Sequence, residues 1–216
     1  VTVKDAQGCT HIGSAIVSTC NDTTAPYPTV TIGSQVWMQK NLNVCKYRNG
    51  DEIPQVQDPI AWVELTTGAW CYYENNTANG PIYGKLYNGY AVNDPRGLAP
   101  LGYHVPSDDE WNTLVSFLGG ESVAGGEMKA TTLWSVPNTG ATNSSGFTGL
   151  PGGGRTNYVY GVFYDVGNKG NWWSSSNYLN INVPSSYTRN LNSNTAAAYR
   201  SGNYMLNGLS VRCLKD

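Results

Sequence analysis

The chain has 216 residues, enough for one large domain with an appendage. Charged residues make up 13% of it and the formal net charge is −2, which excludes a nucleic-acid binder built on clustered Lys and Arg. Mean hydropathy is nevertheless −0.37, so Asn, Ser, Thr and Gly supply the polarity, and no apolar run approaches the roughly 20 residues of a membrane-spanning helix.

Residues 1–28 differ from the rest. They hold candidate strands at 1–3 and 15–18 and end in the linker-like run Thr23-Thr24-Ala25-Pro26-Tyr27-Pro28. They read as an N-terminal extension or the tail of a preceding domain, with the main domain spanning 29–216. Residues 30–38 predict two short strands around a Gly33-Ser34 turn. Asn49-Gly50 marks a further turn. A short helix is expected at 60–65, a strand at 69–73, and a strand or short helical lead at 82–87.

The clearest helix begins at Ser107. Ser107-Asp108-Asp109-Glu110 has the form of a capping box, in which Ser and Glu each satisfy one orphan amide. Trp111, Leu114, Val115 and Leu118 follow at helical spacing, and Gly119-Gly120 ends the run. A second helix is expected at 123–129. From Thr131 onward Gly, Pro and Asn punctuate short aromatic runs, the pattern of short antiparallel strands with long loops. The fold class is α+β, with one or two helices and extensive loops.

The residues that could carry chemistry mostly have structural explanations. Five cysteines (Cys9, Cys20, Cys45, Cys71, Cys213) form no CxxC pair, and His11 and His104 are the two histidines, so no metal or other cofactor is expected. Scattered cysteines and low charge fit an extracellular or cell-surface protein, with Cys9–Cys20 the nearest pair to bridge. Asp108, Asp109 and Glu110 are accounted for by the helix start. His104 reads as a hydrogen-bonder between strand and helix. Cys213 reads as a buried thiol. Gly152-Gly153-Gly154-Arg155 lacks a following Lys-Ser/Thr and reads as a tight loop, not a phosphate cradle. Of Trp172 and Trp173, adjacent on a strand, at least one must face the core. Beyond Thr131 the acids are Asp165 and Asp216, too few for the several oxygens calcium prefers. No catalytic residue is assigned, and the protein is not expected to be an enzyme.

The tract from Asn177 to Asn207 is dominated by Asn, Ser, Thr and Tyr, between Trp172-Trp173 and the apolar run that ends at Leu214. Polar tracts usually stay disordered, but this one keeps aromatic and aliphatic residues throughout. Its composition is also that of binding loops, where Tyr gives contact area and Ser and Asn adaptable hydrogen bonds. The expected ligand-binding face comprises Tyr178, Asn180, Asn182, Ser185, Ser186, Tyr187, Asn190, Asn192, Asn194, Tyr199, Ser201, Asn203 and Tyr204. Strand alternation would turn Tyr and Asn outward and Ile181 and Leu191 inward.

Several phrases stand in register with a known family. They are Ile32-Gly33-Ser34-Gln35-Val36-Trp37-Met38-Gln39-Lys40-Asn41-Leu42-Asn43, then Leu98-Ala99-Pro100-Leu101-Gly102-Tyr103-His104-Val105-Pro106 running into the capping box. Asn143-Ser144-Ser145-Gly146-Phe147-Thr148-Gly149-Leu150-Pro151 with the glycine run, Trp172-Trp173-Ser174-Ser175-Ser176 and Gly208-Leu209-Ser210-Val211-Arg212-Cys213 follow. In this order they resemble the Fibrobacter succinogenes major paralogous domain, from about Val30 to the C-terminus. The resemblance implies a C-type-lectin-like fold in bacterial surface or secreted proteins, with no fixed ligand or catalytic set. The tail also resembles the variable segment of proteins diversified by retroelements, in which Asn codons are exchanged between fixed scaffold positions. The expectation is a non-enzymatic, surface-displayed adhesin or receptor-type domain whose partner is a protein or glycan on a cell or phage surface. The alternatives are an enzyme of the formylglycine-generating type, which shares the broader fold, and a structural pilus-tip or surface subunit.

Overall fold

A computed structural model describes residues 2–4, 10–12, 27–158, 160–179 and 183–216. The expected strand at 15–18 and the Cys9–Cys20 pair lie outside the described residues. Cys45 is disulfide-bonded, and Cys71 and Cys213 are free and buried. Strands β1 (Thr2–Lys4) and β2 (Thr10–Ile12) pair antiparallel; β2 was not anticipated. The hairpin β3 (Thr29–Ile32) and β4 (Gln35–Met38) forms as expected, with Gly33 at φ +62° in its turn.

The segment 59–92 contains α1 (Pro59–Val63), β5 (Trp70–Cys71), α2 (Gly80–Tyr83), β6 (Leu86–Tyr87) and α3 (Gly89–Val92). The strand expected at 69–73 is two residues long, because Tyr73–Asn75 turns into a 3-10 helix. After β7 (Tyr103–His104) comes α4 (Asp108–Phe117). Its capping box is complete: Ser107 Oγ accepts the Glu110 N–H at 3.3 Å and Glu110 Oε2 accepts the Ser107 N–H at 2.8 Å. Helix α5 (Glu121–Met128) starts two residues earlier than its apolar pattern suggested.

The remaining strands are β8 (Gly152–Arg155), β9 (Phe163–Val166), β10 (Lys169–Asn177), β11 (Ser185–Asn192), β12 (Ala198–Tyr204) and β13 (Leu214–Lys215). They make a five-stranded sheet in the order β12-β11-β10-β8-β9, and β13 completes a four-stranded sheet in the order β3-β4-β13-β7. Pairing is antiparallel except between β8 and β10, which meet in parallel at Gly153 and Gly170. The glycine run is thus a buried strand, not the tight loop expected. Its glycines are needed for close approach: a Cβ on Gly154 would lie 2.6 Å from the Tyr164 hydroxyl of β9, and Gly153 keeps φ +63°.

Strand β10 separates two cores. Trp172 packs with Trp37, Trp111, Phe147 and Leu191 on the side of α4 and α5. Its neighbour Trp173 packs with Met38, Tyr87, Leu209 and Val211 on the other side. Both are 0% exposed, so both tryptophans are core residues and neither is left to stack on a ligand.

Loops fill much of the chain, and three buried cations tie them down. Arg155 donates to the carbonyls of Val56, Gln57 and Gly161 and lies over the Trp62 ring. Arg212 reaches the carbonyls of Met38, Phe147 and Thr148, plus Asn41 Oδ1. Lys129 Nζ donates to the carbonyls of Thr139, Asn192 and Thr195. Among the described residues none of the three meets a carboxylate; backbone oxygens and aromatic faces solvate them instead.

Candidate functional site

The tail forms the hairpin of β11 and β12, paired without a break from Ser185–Tyr204 to Leu191–Ala198. An unbroken register sorts its side chains strictly by parity. Leu191 and Ala198 point into the Trp172 core, and Arg189 and Arg200 share that face. The opposite face carries Asn190, Asn192, Tyr199, Ser201 and Asn203, continued on β10 by Asn171 and Lys169.

These residues line a cleft of about 320 Å³ whose far wall is Tyr164. A second cleft of about 440 Å³ adjoins it and wraps the end of the hairpin: it shares Tyr164 and Asn203 and adds Thr156, Asn157, Tyr178 and Asn207, with Ser185, Gly202 and Tyr204 of the other parity. Together they make one open groove. Its charged lining residue is Lys169, which Asp165 holds at 2.8 Å. Burial, reinforced by Asp165, pushes the Tyr164 phenol up to about 12, so it stays a neutral donor and acceptor.

The groove floor is wired by side-chain amides. Asn171 Nδ2 donates to Gly153 O at 3.1 Å, Asn190 Nδ2 to Asn171 Oδ1 at 2.6 Å, and Ser201 Oγ to Asn190 Oδ1. A parallel chain runs from the Asn157 N–H to Asn207 Oδ1, from Asn207 Nδ2 to Asn203 Oδ1 at 2.9 Å, and from Asn203 Nδ2 to Thr188 Oγ1 at 2.8 Å. Each amide is oriented by its neighbour, so the exposed lone pairs and N–H groups hold fixed directions.

The expected site residues divide between the two faces. Asn190, Asn192, Tyr199, Ser201 and Asn203 stand together in the groove. Tyr187 falls on the opposite face, where the Arg200 guanidinium sits 3.9 Å from its ring centre and Tyr178 meets it edge-on at 5.1 Å. Arg200 in turn grips Asp108 at 2.7 Å, and the same carboxylate lies 3.6 Å from buried Arg189. Asp108 therefore anchors the hairpin to the start of α4, beyond its part in the helix dipole. Tyr178 and Tyr204 also border the larger cleft. Asn194 is exposed in the turn after β11, outside the groove.

Ser185 and Ser186 are buried, although Ser185 also borders the larger cleft. Ser186 is 0% exposed, its Oγ accepting from Asn93 Nδ2, and Ser185 is 5% exposed with its hydroxyl turned to Val183 O. Ser186 has the parity of the groove residues but lies against Asn93 at the end of α3. Asn180, Ile181 and Asn182 lie outside the described residues. The groove members that composition did not flag are Tyr164, Lys169, Asn171, Asn157 and Asn207. Parity around Trp172 would have found Asn171, since it must share a face with Lys169 and oppose Trp172.

His104 behaves as expected of a strand-to-helix bridge. Its Nδ1 is 2.7 Å from Asp216 Oδ1 and its Nε2 2.9 Å from Glu110 Oε1. Burial alone would lower its pKa, but the two carboxylates outweigh it and the net shift is upward. Cys213 is 0% exposed, and burial pushes its thiol up to about 12. Among the described residues no three His, Cys, Asp or Glu side chains gather as metal ligands would, and no helix is long and apolar enough to cross a membrane.

The model of the Fibrobacter succinogenes major domain matches residues 30–215, and the chain belongs to that family. No curated protein and no solved structure matches it.

Proposed function

We propose that this member of the Fibrobacter succinogenes major domain family is a non-enzymatic, surface-displayed binding domain with a C-type-lectin-like fold, whose ligand lies in the groove of the five-stranded sheet. The observation that carries this is the pre-oriented amide network on an exposed sheet face. A solvated surface strand pair has no need of interlocked side chains, whereas ordering them before contact lowers the cost of binding. Tyr164 and Tyr199 supply contact area, and the Asn amides offer paired donors and acceptors, the division of labour seen in paratopes. The domain spans 29–216, with 1–28 as an extension, and acts outside the cell on a protein or glycan of a cell or phage surface.

Parity also favours exchange of groove residues by a retroelement. Asn190, Asn192, Tyr199, Ser201 and Asn203 alternate with Arg189, Leu191, Ala198 and Arg200, so ligand contacts and scaffold contacts fall on separate residues. Alignment of the gene with a neighbouring template repeat tests this: substitutions confined to template adenines support it, and absence of any repeat removes it. The formylglycine-generating alternative needs a reactive cysteine. Cys213, the cysteine nearest the C-terminus, is sealed in the core, which weighs against that chemistry.

The binding proposal is tested on arrays of glycans and surface proteins. Wild type is compared with Asn190→Ala/Tyr199→Ala in the groove and Tyr187→Ala on the opposite face. Binding should survive the second change and fall at least about tenfold with the first, since two contacts worth roughly 1 kcal/mol each are lost. Equal binding by all three would remove the groove from consideration.

A further inference from the structure

We infer that the free edge of β12 is a second docking element, which captures an extended, non-basic peptide segment of a partner protein by adding it to the sheet as a sixth strand. This rests on the main-chain groups of the strand and not on the groove, although Tyr178, Gly202 and Tyr204 also line the larger cleft. Strand β12 ends the order β12-β11-β10-β8-β9. It has seven residues, against four in β9 and in β3 at other sheet edges. Tyr199, Arg200, Ser201, Gly202 and Tyr204 are exposed.

Edges of this length are normally guarded by Lys, Pro, a bulge or a covering element. The strand contains no Lys or Pro and its pairing with β11 has no register shift. Among the described residues its main chain is met just before its start, where Ala196 O accepts the Gly126 N–H of α5 at 2.9 Å. The parity that turns Ala196 outward there also turns the N–H and C=O of Arg200 and Gly202 outward, where nothing pairs with them among the described residues.

Two features describe the occupant. Arg200 is the strand's charged residue, and the carboxylate it meets at 2.7 Å is shared with buried Arg189, so two cations face one anion and a further cation on the incoming strand is disfavoured. Gly202 lies under the Tyr178 ring, which a Cβ there would approach to 2.5 Å. An aromatic ring over an edge glycine leaves an apolar shelf for the side chain that comes opposite it. Main-chain bonds would provide affinity and this shelf the preference for an apolar residue, the division used wherever a peptide extends a sheet.

The test uses a random linear dodecapeptide library on phage, selected against the full chain. Recovered peptides are added to nitrogen-15-labelled protein and amide exchange is followed. Exchange at Arg200 and Gly202 should slow by at least about tenfold on saturation. The recovered peptides should be poor in Lys and Arg and bind Asn190→Ala, a groove change that lies off β12, as well as wild type, which separates this edge from the groove. Failure to recover any peptide, or binding that leaves both amides exchanging as before, would overturn the inference. Slowing that follows protein concentration without peptide would overturn it too, by giving the edge to a second copy of the chain.

Discussion

Replacing Lys129 with Met tests whether a lone buried cation holds the recognition hairpin in place. Lys129 is 0% exposed, and its Nζ lies 2.8 Å from Thr139 O, 3.0 Å from Asn192 O and 2.8 Å from Thr195 O. Two of these carbonyls hold the connection between β11 and β12: Asn192 ends β11 and Thr195 lies in the turn. Met fills similar volume but donates nothing. Three carbonyls left without a donor cost about 2 kcal/mol each, and relief from desolvating an ammonium returns roughly 3 kcal/mol, leaving a net loss near ~3 kcal/mol. For a chain of this size that lowers Tm by about 6–12 °C in calorimetry. The pH dependence adds a sign. Burial pushes the Lys129 amine from 10.5 down to about 8. Between those values the unfolded chain holds a proton that the folded one has lost, so stability from this group rises with pH across the window. The margin of wild type over Lys129→Met should therefore widen from pH 8 to 10.5. A loss under about 1 kcal/mol, or a margin that narrows over that window, would refute the reasoning.

His104→Gln should have the opposite pH profile. Because the folded pKa of His104 is raised above 6.5, its contribution is full below that pH and is lost as pH rises through the folded value; melts of both proteins from pH 5 to 9 should converge at the alkaline end. Gly153→Ala would place a Cβ against the Tyr164 carbonyl and 2.7 Å from the Val166 N–H at φ +63°, so urea unfolding should show a loss of at least about 3 kcal/mol. Cys71 and Cys213, both 0% exposed with thiols pushed up to about 12, should resist iodoacetamide until the protein is denatured; rapid alkylation of native Cys213 would restore the enzyme alternative.

Local signals were legible where one segment carried its own explanation. The capping box at Ser107 and the Trp111/Leu114/Val115/Leu118 stripe located α4, and Gly33 located the first hairpin. The glycine run misled because its meaning is non-local. Nothing within Gly152-Gly153-Gly154 tells that Tyr164 will lie against it; the same residues serve a strained loop or a strand under close contact. The site was half legible for a related reason. Composition found the tail but is blind to parity, so Tyr187 was grouped with Asn190, and blind to burial, so Ser186, which shares Asn190's parity but lies under Asn93, was grouped with it too. Tyr164, outside the tail, enters the groove only because β9 folds back beside β8.

The low charge of the chain and the design of its groove have one physical origin. A loop-rich fold leaves many carbonyls without helix or sheet partners, and they must be satisfied to be buried. Lys129, Arg155 and Arg212 meet that need from inside, and Asp108 is held among Arg189 and Arg200 beneath the hairpin. Charges used as internal ties are withdrawn from the surface, so the exposed face of the β11–β12 hairpin is left to neutral Asn, Ser and Tyr. On such a face an exchange of one neutral side chain for another disturbs no buried ion pair and no core contact. Surface changes of that kind usually shift stability by no more than about 0.5 kcal/mol. Residues of the other parity have no such freedom: Arg200→Asn would strip Asp108 of its closest partner, while Tyr199→Asn, one position away, should leave the melting temperature almost unmoved. Thermal melts of that pair compare neighbouring residues on one strand. Equal losses would show that the hairpin does not divide scaffold from contact surface by parity, and the argument for a tolerant binding face would fall with it.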